Sequence, residues 1–185
     1  MADIYEQISK FDELINFVEN QLPEFAKQVL SADLVALVTN RVVQRGEDYT
    51  GVRFSAYSVT TVAAYRFWGK SRTQAAEKII RAKARAKGAL SYKEFRGINN
   101  LKTDKKNFEF TGEMWKKFGV IRSVVSGSKF TVSIGGTTTA SQNKIDDNSQ
   151  REGLSIIEAS DDERDLVSRT TEDWISQHAN RILNG

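Results

Sequence analysis

Residues 107 to 136 read NFEFTGEMWKKFGVIRSVVSGSKFTVSIGG, and the fold turns on how this stretch is divided. Phe108 and Phe110 alternate with Asn107 and Glu109, as the residues of a half-buried strand do. Thr111-Gly112 then interrupts the chain, and Thr111 is placed to cap a short segment whose Met114, Trp115 and Phe118 suit one buried face. Two runs rich in β-branched residues, GVIRSVVSG and SKFTVSIGG, flank Ser126-Gly127-Ser128 and predict a hairpin. The stretch therefore predicts an antiparallel sheet of three or more strands.

Upstream, Ile4, Ile8, Phe11, Ile15, Val18 and Leu22 recur at alternating spacings of four and three, which predicts an amphipathic helix over residues 3 to 21. The expected partner of this stripe is the chain's own core; the other reading gives it to a neighbouring subunit. Pro23 predicts a break or kink, followed by a second helix to Arg41 carrying Phe25, Val29, Leu34, Leu37 and Val38. Gly46, Asp48 and Gly51 mark a loop with room for a short strand. A further helix is expected from a Ser71/Gln74 capping box to a left-handed end at Gly88, with Ala75, Ala76, Ile79, Ala82, Ala86 and Ile80 inward. SYKEFRGINNLKTDKKN reads as a short turn or helical piece ending at Gly97, then a polar loop.

Downstream, TTTASQNKIDDNSQREG reads as a long loop or weak helix and LSIIEAS as a short strand. Ser160 and Glu163 form a capping box that opens the last helix, whose inner face carries Leu166, Val167, Thr170, Trp174, Ile175, His178 and Ile182. Trp68, Trp115 and Trp174 read as core anchors and His178 as a packing residue.

A chain of 185 residues fits one domain, residues 1–185, with 1–41 as an N-terminal helical region. There is no cysteine, which rules out disulfides, a thiolate nucleophile and Cys-ligated zinc. With a single histidine and no positioned acid-base pair, neither an enzyme nor a metal or other cofactor is expected. No signal peptide or membrane span is apparent, so a soluble protein without a membrane partner is expected.

Charge is uneven although the net value is only +3. Residues 1 to 40 carry two Lys/Arg against seven Asp/Glu, residues 66 to 106 thirteen against three, and residues 145 to 185 four against ten. An acidic, basic, acidic chain predicts charged partners or self-assembly between unlike faces. Arg66, Lys70, Arg72, Lys78, Arg81, Lys83, Arg85 and Lys87 are the candidate charged interface. They face either an adjacent subunit or DNA, and a nucleic-acid-binding protein using residues 66 to 106 without sequence preference is the alternative function.

The ordered series of Tyr92 and Arg96, the corner Thr111, Gly112 and Met114, the hairpin, Gln150 and Gly153 before an apolar run, and the helix opened by Ser160 and Glu163 resembles the tail-completion and virion-morphogenesis proteins of tailed bacteriophages. The resemblance spans roughly residues 85 to 184. The histidine and aromatic usual in that family's polar stretch are not present near Asn148 to Arg151. It implies an α+β fold, with long helices packed on a small antiparallel sheet around a central hairpin. It also implies a neck component, located in the virion after assembly in the host cytoplasm. There it forms a homo-oligomeric ring that contacts neighbouring neck, connector or tail proteins, with the basic face meeting either an acidic face of the next subunit or DNA in the channel. In that setting Thr111, Gly112, Met114, Ser160 and Glu163 are structural, and the corner serves the fold rather than an active site.

Overall fold

The computed structural model describes residues 4–109, 112–126 and 129–184. It is an α+β protein: helices predominate and pack on small antiparallel sheets, with a hairpin in the second half.

Helical structure runs without interruption from Ile4 to Arg45: α1 (Ile4–Asn16), α2 (Leu22–Phe25) and α3 (Ser31–Thr39) joined by π-helical turns at Phe17–Gln21, Ala26–Leu30 and Asn40–Arg45. The expected break at Pro23 does not occur. A proline cannot donate to the carbonyl four residues back and its ring crowds that oxygen. The π turn before it, in which Leu22 N–H donates to the Phe17 carbonyl five residues back, widens the helix and lets the chain pass. A rod of this length spans roughly 60 Å, more than a compact body of this chain length offers as a packing surface. Accessible surface is 11800 Å², about 30 per cent above what a monomer of this mass ordinarily shows.

The rod ends at Gly46, and Asp48 organises the next turn by accepting from Thr50 N, Thr50 Oγ1 and Val52 N. Burial pushes its carboxyl up, but these hydrogen bonds and the Arg41 charge outweigh it and hold the group below its usual range. β1 (Thr61–Ala63) pairs antiparallel with β2 (Ala89–Ser91) around α4 (Gln74–Lys87). α5 (Tyr92–Ile98) starts at a Ser91/Glu94 capping box that the sequence reading missed. Ala64, Phe67, Ile80, Leu90 and Phe95 close a small core here.

α6 (Glu113–Lys116) leads into the expected hairpin of β3 (Phe118–Ser126) and β4 (Lys129–Gly136), bulged between Val120 and Arg122; Gly127 and Ser128 lie outside the described residues. Each described sheet has two strands, not three or more. α7 (Thr139–Glu152) is a regular helix capped by Thr138, which decides between the loop and helix readings of that segment. Its approach to β4 depends on Gly136, where a Cβ would overlap the Gln142 backbone. The run after it is not a strand: Ile156 is buried in a turn, with its N–H donated to Ser149 Oγ. α8 (Asp161–Asn184) opens at the predicted box, in which Glu163 N–H donates to Ser160 Oγ and Ser160 N–H to the Glu163 carboxylate. Val38, Val42, Phe54, Met114, Phe118, Ile145 and Ile156 form the larger core, joining the rod to α6, the hairpin and α7.

Candidate subunit interface

Two buried arginines hold the connections between elements. Arg41, 2 % exposed, donates from Nε to Glu163 (2.9 Å), and from its other nitrogens to the carbonyls of Glu47 (3.0 Å) and Glu158 (2.5 Å). It ties the end of the rod to the start of α8, so Glu163 both completes a cap and neutralises a buried cation. Arg96, 1 % exposed, lies 4.0 Å from the Tyr57 ring centroid and donates to the Lys102 and Glu109 carbonyls and to Asn107 Oδ1.

The Arg96 network replaces the strand expected at residues 107 to 109. Asn107 donates its N–H to Tyr57 and accepts from Arg96 and Trp115, Glu109 accepts from Arg96 at its carbonyl and donates its N–H to Asn107 Oδ1, and Phe108 takes a left-handed backbone (φ 53°). Phe110 and Thr111 lie outside the described residues. Gly112 (φ 78°) turns the chain into α6 and stands where Thr111 was expected as cap; this left-handed position is one that a side chain disfavours. Tyr92, Arg96, Gly112 and Met114 line one cavity of about 510 Å³. Ser160 and Glu163 belong instead to the Arg41 site, while Gly153 ends α7. The resemblance motif thus divides between two structural hubs.

The basic residues are distributed along a short 3₁₀ turn at Ala64–Phe67, the loop after it and α4. Arg66, Lys70, Arg72, Lys78, Arg81, Arg85 and Lys87 are exposed and Lys83 is half-buried. Arg81 pairs with Glu77 and lies 5.5 Å from the Trp68 ring, and Lys83 approaches Glu94. Trp68, expected in the core, is 48 % exposed, whereas Trp174 stacks on Phe25 and Trp115 packs on the larger core. The expected cap of α4 moves from Ser71 to Thr73, whose side chain accepts from Ala76 N; Gly88 ends the helix as expected. The inward face of α4 is also corrected: Ala76, Ile80 and Ala84 face the core, while Ala75, Ile79, Ala82 and Ala86 face solvent. Two aliphatic series interleave on this helix, and the bulky Phe67, Leu90 and Phe95 select one of them.

The largest departure concerns α1. Ile4, Ile8, Phe11, Ile15 and Val18 are 65, 52, 61, 53 and 52 % exposed, so the stripe expected to meet the chain's own core meets water. The opposite side of the rod is the packed one. Phe17 lies against Trp174 (5.1 Å) and His178 (5.4 Å), and Lys10 donates to the Leu183 carbonyl of α8. His178 is thereby a packing residue, its Nδ1 3.0 Å from the Trp174 carbonyl. Beyond Val18 the exposed stripe runs into an apolar groove of about 940 Å³ between the rod, β4 and α8, lined by Leu22, Leu30, Val132, Ile134, Val167 and Ile175. Val18 belongs to both the stripe and the groove, and apolar patches of this extent occur at protein or membrane contacts, in ligand grooves and on aggregation-prone surfaces.

No described helix is long and apolar enough to cross a membrane. Comparison of the chain with protein-family models, with curated proteins and with solved structures found no match.

Proposed function

We propose that the chain is a structural protein of a tailed-phage virion, a tail-completion or neck component that joins head and tail as a homo-oligomeric ring. The exposed α1 stripe carries this reading: five large apolar side chains on one helix face are left in water by a single chain and need a neighbour. The sequence resemblance supplies the kind of particle. The two arginine hubs support a rigid subunit whose function is positional, with Gly112 and Glu163 serving the fold. Residence in the virion neck or tail, after assembly in the host cytoplasm, is part of this reading. So are neighbouring neck, connector or tail proteins as partners. Quantitative mass spectrometry of gradient-purified particles tests it. A few to about a dozen copies per particle is the expected result for one closed ring; absence from particles rejects it.

A second reading is supported by the exposure of Tyr65 and Trp68 beside Arg66, Lys70 and Arg81, since aromatic faces among cations suit single-stranded nucleic acid. It predicts retarded mobility of DNA that falls steeply with salt and is lost when Arg81, Lys83 and Arg85 are neutralised together. Unchanged retardation in that variant rejects it.

A further inference from the structure

Two helices present unpartnered apolar series to solvent with identical spacing. On α1 the series is Ile4, Ile8, Phe11 and Ile15; on α4 it is Ala75, Ile79, Ala82 and Ala86, and both step by four, three and four residues. Superimposed in that order, large side chains of α1 meet small ones of α4 at three of four layers, and Ile8 meets Ile79. Alanines on one helix let the other approach closely, and knobs of Ile and Phe fill the space they leave.

The flanking charges choose the direction. In heptad terms the two series occupy positions a and d. Asp12 and Glu19 of the rod then fall at e, and Lys78 and Arg85 of α4 at g. In a parallel pair g faces e of the partner, whereas in an antiparallel pair g faces g and e faces e. Parallel packing with Ile8 beside Ile79 therefore sets Lys78 against Asp12. Glu19 lies in the π turn that begins at Phe17, where the heptad count of α1 no longer gives its side, so the pairing rests on Asp12 and Lys78. Asp12, Glu19, Lys78 and Arg85 have no ion pair within the chain among the described residues, while the neighbouring Arg81 and Lys83 do. Of the e positions of α4, Ala76 is buried in the chain's own core and Lys83 faces the neutral Gln7 at g of α1, so no like charges oppose.

We infer that α1 of one copy docks parallel along α4 of the next copy, in the register Ile8 beside Ile79, with Asp12 paired to Lys78. A second copy is the occupant that the charges favour: α1 against α1 offers Asp12 only the neutral Gln7 in parallel order, or the e positions Tyr5 and Asp12 in antiparallel order, whereas α4 offers it the cation Lys78. The donor and acceptor surfaces are different patches of one chain, so the contact is head-to-tail and propagates into a ring or filament rather than stopping at a dimer. This inference rests on the self-assembly part of the proposed function and adds its interface.

The chain has no cysteine, which makes disulfide trapping clean. The full chain carrying Ile8→Cys and Ile79→Cys together, concentrated and oxidised, is expected to give a ladder of covalent multimers on a non-reducing gel. Ile4→Cys with Ala75→Cys is expected to do the same, and Ile4→Cys with Ala86→Cys, which only antiparallel packing would join, is not. In parallel, Asp12→Lys or Lys78→Asp alone is expected to weaken association about fivefold or more, and the two together to restore it. A ladder from the antiparallel pair, or dimers from Ile8→Cys alone, would overturn the inference. So would multimers in sedimentation that neither predicted pair can trap, an outcome that leaves self-assembly standing and rejects this contact. A chain that stays monomeric and untrapped at its highest soluble concentration also overturns it, while the copy number on particles decides the neck reading separately.

Discussion

The two halves of the N-terminal rod both carry apolar residues at helical spacing, the first on one stripe and the second over most of its surface, and the fold treats them oppositely. From Phe17 to Arg45 the rod buries Phe17, Ala26, Leu30, Val38, Arg41 and Val42 against the body, whereas from Ile4 to Asn16 no residue is buried. Periodicity states that a helix has an apolar face; it does not state whether the same chain supplies the other side. The first half is a face without an internal partner, and its stripe should therefore be dispensable for folding and needed for association.

The strongest test of the buried half is Arg41→Ala, which strands the Glu163 carboxylate in a site where the two side chains are 2 and 5 % exposed. Breaking a buried pair by removing one partner costs about 3–5 kcal/mol, to be read from urea denaturation. The sharpest contrast within one rod pairs Leu30→Ala with Ile8→Ala. Leu30 is 2 % exposed, so its truncation should cost about 2–5 kcal/mol; Ile8→Ala should stay within about 0.5 kcal/mol of wild type. Equal losses at the two positions would erase the distinction between the halves.

Thr73→Ala removes the side-chain cap of α4 and should cost about 1 kcal/mol. Because α4 is the proposed docking partner, association should weaken with it while the exchange protection of α1 in the monomer stays unchanged. The smallest effect concerns pH. Asp48 has its carboxyl held below the ordinary value in the fold. The stability it contributes is present above the unfolded value, about pH 4, and is lost as pH falls through the folded one. Asp48→Asn should flatten the acid limb of the stability curve below about pH 4, and amide exchange should rise first around Gly46 to Val52 rather than in α1.

Local signals in the sequence served unevenly: the cap of α4 lies at Thr73 rather than Ser71, and the Ser91/Glu94 box was missed. The hairpin, the Ser160/Glu163 box, the Gly88 helix end and the α1 stripe are each settled within a few residues. At Pro23, where a break or kink was expected, helical structure continues because the adjacent π turn absorbs the proline. Two failures came from distance. Residues 107 to 109 alternate like a strand, yet Arg96, which lies eleven residues before Asn107, takes their hydrogen-bonding groups. Glu163 was legible as a cap but not as the counterion of Arg41, 122 residues away. The face of α4 failed for another reason: it carries two aliphatic series, and only the aromatic neighbours choose between them. Of the candidate interface, the charge pattern was legible and the orientation of the stripe was not.

The measurement that bears most directly on the central claim is sedimentation velocity of the purified chain over a wide concentration range, beside Ile8→Asp with its thermal unfolding recorded. The account predicts concentration-dependent multimers for the wild type, and a monomeric Ile8→Asp that unfolds at the wild-type temperature. A variant that associates like the wild type, or one that loses its fold, would contradict the claim that the α1 stripe is a surface made for a second subunit.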